Sequence, residues 1–471
     1  MSSERLNQSE GRLSRDLRIA DSSVDVCMKG KSAIGVAAPA SSDSVSVGTG
    51  SRSSLFEIIS DWRSALFQNF TWIAGGRMVT AVGGVAKYVI FARLLRPTDF
   101  GIVGAAYSVK ALFGTLSNFH LDRALVPQVD EVEPYLDTMW VAALVQALLV
   151  AVPLIVLAKP LATFLNIERY YRVFWAGAVL AFVQALKSPA ASARIYRDLS
   201  FHILFALNAA EVFAGFIFGL MGILAWRDWR GLVLADIAAQ GARAALSYWY
   251  YPYWPRIRFD RARARRMFSY GRWVTFRMWA EYAVRNLDKL TIGHIMGAHA
   301  LGEYQMAFRV GELPASEFAF TAGILSFSTV ARSRRRGAVS GRFLKVSVLA
   351  TVALGLAYWF LMSVYGGKII SVTVGAKWLG CLPPLRLLCL AATAQGVLTL
   401  GAEFLDGMNT PQAAFRLKTA SAIMFVLLVY PLTLWFGTIG TAVAAVVSAA
   451  LPLPFLYILY RQVNPPRRQL A

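Results

Sequence analysis

Residues 138–158 read TMWVAALVQALLVAVPLIVLA, an apolar run that contains no charged side chain. As an α-helix this run is about 30 Å long, which matches the hydrocarbon thickness of a bilayer. Comparable runs lie at 205–226, 346–366 and 438–460. The sequence therefore predicts an all-α polytopic membrane protein.

Composition supports the same class. The chain has 471 residues, of which 56% are hydrophobic and 16% charged, whereas soluble domains carry about 25% charged residues. The net charge of +21 would suggest nucleic acid in a soluble protein. Here the basic residues cluster between apolar runs, as the positive-inside bias requires, so no nucleic-acid partner is predicted.

The apolar pattern predicts twelve membrane spans joined by short loops. They are placed at about 71–93, 101–121, 138–158, 173–192, 204–226, 231–251, 270–293, 302–330, 344–364, 382–405, 415–436 and 438–460. Basic segments such as 254–266 and 331–345 alternate with loops that hold far fewer cations. This asymmetry predicts that both termini are cytoplasmic.

The N-terminal residues 1–65 form a polar, serine-rich extension that cannot bury enough apolar surface to fold. We predict a disordered cytoplasmic tail. A weakly amphipathic stretch at 55–67 is expected to lie along the membrane interface before the first span.

A weak internal repeat appears when the chain is shifted by 201 positions. Residues 91–109 then align with 292–310 without a gap, and Gly101 aligns with Gly302. The repeat predicts two six-helix halves with a substrate site between them, as in many secondary transporters. The predicted domains are an N-lobe (66–252), a basic cytoplasmic linker (253–267), a C-lobe (268–462) and a cytoplasmic tail (463–471).

Three segments carry a family resemblance. ARLLRPTDFG (92–101), RNLDKLTIGHIMGAHALGEYQMAFRV (285–310) and GAKWLGCLPPLRLLCLA (375–391) resemble the Wzx-type polysaccharide-biosynthesis flippases. These transporters belong to the multidrug/oligosaccharidyl-lipid/polysaccharide (MOP) superfamily, and the resemblance covers about residues 66–460. His294 and the Ala298–His299 pair depart from the usual basic residue and Gly-Pro turn of the family.

The resemblance implies an architecture and an activity. Two six-helix lobes would form a V, as in the MATE transporters of the superfamily, in the bacterial inner membrane. The lobes would pass a polyprenyl-diphosphate-linked oligosaccharide from the cytoplasmic to the periplasmic leaflet, for exopolysaccharide or lipopolysaccharide synthesis. A polysaccharide polymerase or co-polymerase is an expected partner.

Ionisable residues inside the predicted spans suggest where the site lies. Each costs about 2.5–3.5 kcal/mol at a helix centre, so it normally faces a cavity or a partner. Arg277, Glu281, Arg285 and Lys289 follow one another at i+4 steps along one stripe of the seventh span. The stripe could be a self-neutralising ladder of ion pairs, a ligand site, or both.

We predict a cationic cavity because a diphosphate is anionic and because arginine recognises phosphate in a bidentate manner. Its predicted substrate-binding residues are Arg77, Lys87, Arg277, Arg285, Lys289 and Arg309. A carboxylate that binds H⁺ or Na⁺ is expected to couple transport to an ion gradient. The candidates are Glu281, Asp288 and Asp236.

The sequence argues against two other functions. A multidrug/cation antiporter of the same superfamily uses a carboxylate in its first span, but residues 71–93 contain cations and no acid. A membrane polymerase or ligase for polyprenyl-linked glycans would need a sizeable periplasmic loop, and the predicted loops are short. The four histidines have no metal-ligand spacing, so neither an enzymatic role nor a metal or cofactor is predicted.

Overall fold

The computed structural model describes residues 72, 75–76, 78–117, 133–197, 200–260, 279, 282–312, 319, 322–323, 342–408 and 410–456. Every regular element within these ranges is a helix, as the apolar runs predict. The predicted N-terminal tail (1–65), the interfacial stretch (55–67) and the C-terminal tail (463–471) lie outside the described residues.

Two series of helices are described, one on each side of residues 251–281. The first comprises α1 (78–94), α2 (Pro97–Ser117), α3 (Glu133–Val156), α4 (Ala158–Phe164), α5 (Arg172–Ala185), α6 (Pro189–Arg197), α7 (Phe201–Trp226) and α8 (Arg230–Tyr250). The second comprises α9 (282–312), α10 (Arg342–Thr373), α11 (Leu382–Gly407) and α12 (Pro411–Ala450). Short 3₁₀ turns cover Glu168–Tyr170 and Ala376–Cys381.

Several helices are long and apolar enough to cross a bilayer. Among the described residues, six stretches qualify: Pro97–Ser117, Tyr135–Val156, Phe201–Trp226, Leu344–Thr373, Ala376–Asp406 and Gln412–Leu456. Large apolar side chains on their outer faces, such as Leu148, Phe213 and Leu427, are exposed and would face lipid. The protein is a multi-pass membrane protein.

The predicted span 173–192 is interrupted in the structure. Helix α5 ends at Ala185 and α6 begins at Pro189, because proline disfavours helical backbone in the residue before it. That residue, Ser188, accepts a hydrogen bond from the Ala191 N–H at 3.4 Å. Its own N–H donates to Ser247 Oγ at 3.0 Å, so the break is held by hydrogen bonds.

Helix α9 folds back on itself at Gly297, whose φ of +79° lies in the left-handed region that favours glycine. The Tyr304 hydroxyl donates to Asp288 Oδ2 at 3.0 Å. Sixteen residues of straight helix would hold these groups about 24 Å apart. The two arms of α9 therefore form a helical hairpin.

A second glycine turn lies inside α12. Gly437 has φ +60° and ψ −139°, which interrupts the helix. The hydroxyls of Thr433 and Thr441, on either side of it, lie 2.7 Å apart, whereas straight helix would separate these residues by about 12 Å. The turn falls between the predicted eleventh and twelfth spans.

Helices α2 and α9 cross at two glycines. A Cβ added at Gly101 would collide with the carbonyl oxygen of Ala298, and one at Gly302 with the carbonyl oxygen of Pro97. Small residues allow this close approach between membrane helices. The two contacts are equivalent under the repeat, because Pro97 corresponds to Ala298 and Gly101 corresponds to Gly302, in each case 201 positions later.

The same spacing recurs beside this crossing. Thr98 Oγ1 and His299 Nδ1 lie 3.4 Å apart, and the two residues are 201 positions apart in the chain. Contacts between equivalent residues are what a two-fold axis between two repeats produces. The structure thus brings together the segments that the sequence repeat aligns.

Candidate functional site

A group of charged side chains lies among the first series of helices, and we call it the N-terminal cluster. Its members are Lys87, Lys110, Lys187, Glu211, Asp236 and Arg243. Lys87 Nζ lies 3.7 Å from Asp236 Oδ1, and the Arg243 guanidinium lies 2.7 Å from Glu211 Oε2. These four side chains are between 22% and 36% exposed, so both ion pairs retain access to solvent.

Helical spacing explains how the N-terminal cluster forms. Asp236, Gln240 and Arg243 follow one another at steps of four and three, which places them on one face of α8. Gln240 Nε2 donates to Glu211 Oε1 at 2.7 Å, and Arg243 donates to Asn208 Oδ1 at 2.7 Å. Asn208 and Glu211 are three residues apart on α7, so α7 and α8 present polar faces to each other.

A second group lies in α9 around Asp288, which is only 1% exposed. Its carboxylate accepts from the Tyr304 hydroxyl at 3.0 Å and from the Lys289 N–H at 2.8 Å. Lys289 Nζ is 3.6 Å from Asp288 Oδ1 and 4.2 Å from the centre of the Phe308 ring. A buried carboxylate needs such partners, because an unpaired one costs several kcal/mol.

The same hairpin carries a more open ion pair. Arg285 lies 3.4 Å from Glu312 Oε1, and the two side chains are 58% and 31% exposed. Solvent screening makes a pair of this kind worth about 1 kcal/mol or less. Arg277 and Glu281, the first two residues of the predicted ladder, lie outside the described residues.

Arg309 is the α9 cation that reaches the first series of helices. Its guanidinium stacks over the Tyr88 ring at 4.5 Å and lies 3.8 Å from the point that a Cβ at Gly84 would occupy. Gly84 and Tyr88 are four residues apart on one face of α1. Among the described residues, no carboxylate forms an ion pair with Arg309.

One end of the bundle is closed by contacts between the two series. Arg93 Nε donates to the Thr373 carbonyl at 2.6 Å, and Lys377 Nζ donates to the Arg93 carbonyl at 2.8 Å. Trp378, which is fully buried, donates to the Ala92 carbonyl at 2.9 Å. These acceptors are neutral backbone groups, and among the described residues no ion pair joins Arg93 to the second series.

His294 makes the matching contact from the second series. Its Nδ1 lies 2.7 Å from the Phe164 carbonyl oxygen, and its ring stacks on Phe164 at 4.2 Å. Asn166 donates to the His294 carbonyl at 2.5 Å. His294 and Arg93 are 201 positions apart. In each repeat, the side chain at this position contacts a backbone carbonyl of the other series.

Cations outnumber carboxylates among the groups described above. Seven cations and four carboxylates belong to them: Lys87, Lys110, Lys187, Arg243, Arg285, Lys289 and Arg309 against Glu211, Asp236, Asp288 and Glu312. Each of the four carboxylates pairs with one cation. Three cations are left without a carboxylate partner among these groups.

The sequence-predicted residues fall into three sets. Lys87 lies beside Asp236, and Lys289 lies beside Asp288. Two predicted substrate-binding lysines are therefore paired with two predicted ion-coupling carboxylates. Arg309 has an aromatic partner instead. Arg77 lies outside the described residues, as do Arg277 and Glu281.

Sequence reasoning missed the uncharged partners. Tyr88, Tyr304, Gln184, Asn208 and Gln240 each contact a charged side chain in the interior. Helical spacing could have identified some of them, since Asn208 and Gln240 stand three residues before Glu211 and Arg243. Among the described residues, no group of three His, Cys, Asp or Glu side chains could hold a metal ion.

Long apolar helices that contain half-buried ion pairs define a multi-pass membrane protein. Comparison with known proteins agrees. The sequence profile of the family described as polysaccharide biosynthesis protein matches residues 90–383, more than half of the chain. The chain belongs to this family of polysaccharide biosynthesis proteins.

A curated relative and two solved structures give the family context. The chain is 21% identical to the lipopolysaccharide biosynthesis protein WzxC of Escherichia coli (strain K12), over 75% of this chain and 72% of that protein. It superimposes on the lipid II flippase MurJ in an inward closed conformation with a TM-score of 0.66, at 13% identity over 82% of this chain and 86% of that one.

The second structure is the inward-facing conformation of a multidrug resistance MATE transporter of the MOP superfamily. The TM-score is 0.58 at 12% identity, over 85% of this chain and 99% of that one. At these identities the two structures establish the fold alone. The fold of this chain is similar to that of these two transporters.

Proposed function

We propose that the protein is a flippase that moves polyprenyl-diphosphate-linked oligosaccharide repeat units across the bacterial inner membrane. The observation that carries the proposal is Arg309, an arginine between α1 and α9 that has no carboxylate partner among the described residues. A diphosphate offers several anionic oxygens, and arginine binds such groups with two parallel hydrogen bonds. The headgroup would cross between the lobes past Arg309 while the prenyl chain stays in lipid.

The paired cations enlarge the diphosphate site. Lys87 and Lys289 are neutralised by Asp236 and Asp288 in this conformation. Binding of H⁺ or Na⁺ to either carboxylate would free its lysine for the diphosphate. Ion binding and substrate binding would then support each other, as linkage requires of two ligands that favour one state.

Alternating access supplies the movement. We infer twelve spans in two six-helix lobes, with both termini cytoplasmic and Arg93 and His294 at the periplasmic end. The contacts related by 201 positions support two equivalent lobes. In this arrangement the periplasmic end is closed, and release of substrate requires that the bonds of Arg93 and His294 to backbone carbonyls break.

The relatives support the substrate class. The E. coli relative is named for lipopolysaccharide biosynthesis, and the MurJ structure is that of a lipid II flippase. A cation-exporting antiporter is less well supported, because residues 78–94 of α1 contain Lys87 and Arg93 but no carboxylate.

Depletion of the protein in the organism that encodes it tests the proposal. We expect lipid-linked oligosaccharide to accumulate on the cytoplasmic leaflet, where added periplasmic glycosidase cannot reach it in intact spheroplasts. A re-expressed wild-type copy should restore access of the glycosidase. If the oligosaccharide stays accessible from the periplasm after depletion, translocation does not depend on this protein.

A further inference from the structure

A short segment follows α8 on the way to the second series of helices, and hydrogen bonds hold it against α3. The Tyr253 hydroxyl donates to Asp137 Oδ1. The Arg256 N–H donates to the same oxygen at 3.4 Å. We call residues 251–260 the linker segment, whose backbone forms neither helix nor strand.

The linker segment lies at the depth where the membrane begins. Asp137 and Thr138 are the third and fourth residues of the apolar stretch Tyr135–Val156, which is long enough to cross a bilayer. The Asp260 N–H donates to Thr138 Oγ1 at 3.4 Å, so the segment runs beside the first turn of this span. Groups at the end of a span lie at the level of the lipid headgroups.

One side of the linker segment packs against the protein. Tyr251 and Tyr253 are partly buried and contact a cluster of buried side chains that includes Leu136 and Met139 of α3. These contacts and the hydrogen bonds to α3 fix which side of the segment faces outward.

The outward side combines large apolar side chains with arginines. Trp254 is 89% exposed, Ile257 88% and Phe259 53%. Arg256 and Arg258 alternate with them and are exposed as well. Exposed apolar groups that lie together mark an interaction surface, and the arginines make this surface positively charged.

We propose that the outward side of the linker segment is a docking surface for anionic phospholipid, such as phosphatidylglycerol, in the adjoining leaflet. Trp254, Ile257 and Phe259 insert between the headgroups. Arg256 and Arg258 bind the phosphates. In the orientation proposed above this is the cytoplasmic leaflet, and docking does not depend on which substrate is transported.

Depth and charge favour lipid over a protein as the occupant. Tryptophan is enriched at the level of the headgroups, and arginines next to a span are attracted by anionic lipid. A protein partner would have to displace lipid at the same depth. The sequence continues with RARARR (261–266), outside the described residues, and its charge has the same sign. The junction between the two series of helices is thereby held at the membrane surface.

A spin label at position 257 tests the docking surface. Full-length protein with Cys27→Ser carries Ile257→Cys as its reactive thiol, because Cys381 and Cys389 are buried. The labelled protein is placed in nanodiscs of phosphatidylcholine, with or without an equal share of phosphatidylglycerol. Power saturation compares collisions of the label with oxygen, which concentrates in the bilayer, and with an uncharged nickel complex in the water.

Anionic lipid should raise the ratio of oxygen to nickel collisions at position 257. We expect the equilibrium between the docked and the released segment to shift by about fivefold for each arginine. The double variant Arg256→Gln/Arg258→Gln should lose most of this dependence on phosphatidylglycerol, and Arg256→Lys/Arg258→Lys should retain it. Trp254→Ser should lower the ratio in both lipid mixtures, because it removes an apolar anchor.

The matched control is a label at Leu427→Cys. Leu427 is 68% exposed on the outer face of α12, within the apolar stretch Gln412–Leu456. A label there should show a high ratio of oxygen to nickel collisions in both lipid mixtures. The same high ratio in each linker variant establishes that the variant is folded and embedded in the membrane.

Two outcomes overturn the inference. If the label at position 257 collides with the nickel complex as freely as a label in water, even with phosphatidylglycerol present, the segment does not dock on the membrane. If the ratio is the same with and without phosphatidylglycerol, anionic lipid is not the partner. Neither measurement involves a transported substrate, so the proposed flippase is decided separately.

Discussion

Replacing Arg309 with Glu is expected to slow translocation of a polyprenyl-diphosphate-linked sugar by about a hundredfold or more. The variant removes charge-assisted hydrogen bonds worth about 1.5–3 kcal/mol and sets a carboxylate against the diphosphate. It also removes the stacking of Arg309 on Tyr88. The rate is measured in proteoliposomes with a headgroup that carries the fluorescent label nitrobenzoxadiazole (NBD). Added dithionite bleaches each label that has reached the outer leaflet.

Two companion variants separate specific binding from net charge. Arg309→Lys keeps the charge but loses the planar two-pronged geometry, so an intermediate rate is expected. Lys368→Glu reverses a charge at an exposed position of α10 and should leave the rate within about twofold, as exposed charges contribute little. Equal rates for wild type and Arg309→Glu would exclude Arg309 from the diphosphate site.

Replacing Asp288 with Asn should abolish the response of transport to an imposed ion gradient. Asn keeps the shape of the side chain and can still accept from the Tyr304 hydroxyl, but it cannot bind H⁺ or Na⁺ as a carboxylate does. Lys289 also loses its counter-charge at 3.6 Å. The measurement compares initial rates with and without a pH or Na⁺ gradient across the liposome membrane.

The matched control is Asp228→Asn. Asp228 is also paired with a cation, Arg230 at 3.6 Å, but it lies in the connection between α7 and α8. Its replacement should leave the stimulation by the gradient intact. If Asp288→Asn transports with the same stimulation as wild type, Asp288 has no coupling role, and Asp236 becomes the next candidate.

That the protein spans a membrane, and that it contains a repeat, could be predicted because both features show in short stretches of sequence. Most of the run 138–158 lies in α3 (Glu133–Val156), and the length of the run is enough to cross a bilayer as a helix. Gly101 and Gly302 align at a spacing of 201, and both lie where α2 and α9 cross. The helices pack too closely there for any residue larger than glycine, so glycine occupies the same position in both repeats.

The pairing of charges could not be predicted in the same way. Lys87 and Asp236 lie 149 positions apart, and helical periodicity does not say which faces meet. Only the packing of α1 against α8 brings them within 3.7 Å. The contact of Tyr88 with Arg309 could not be predicted either. An aromatic residue in a membrane helix usually faces lipid or packs in the core.

The most direct test of the central claim uses wild-type protein and two lipids that differ only in the linkage. One NBD-labelled sugar is joined to its polyprenyl chain through a diphosphate, and the other through an ether. In proteoliposomes, the protein should speed movement of the diphosphate-linked lipid to the opposite leaflet and leave the ether-linked lipid at the rate of protein-free liposomes. Equal acceleration of both lipids, or of neither, would contradict a cationic passage built for a diphosphate headgroup.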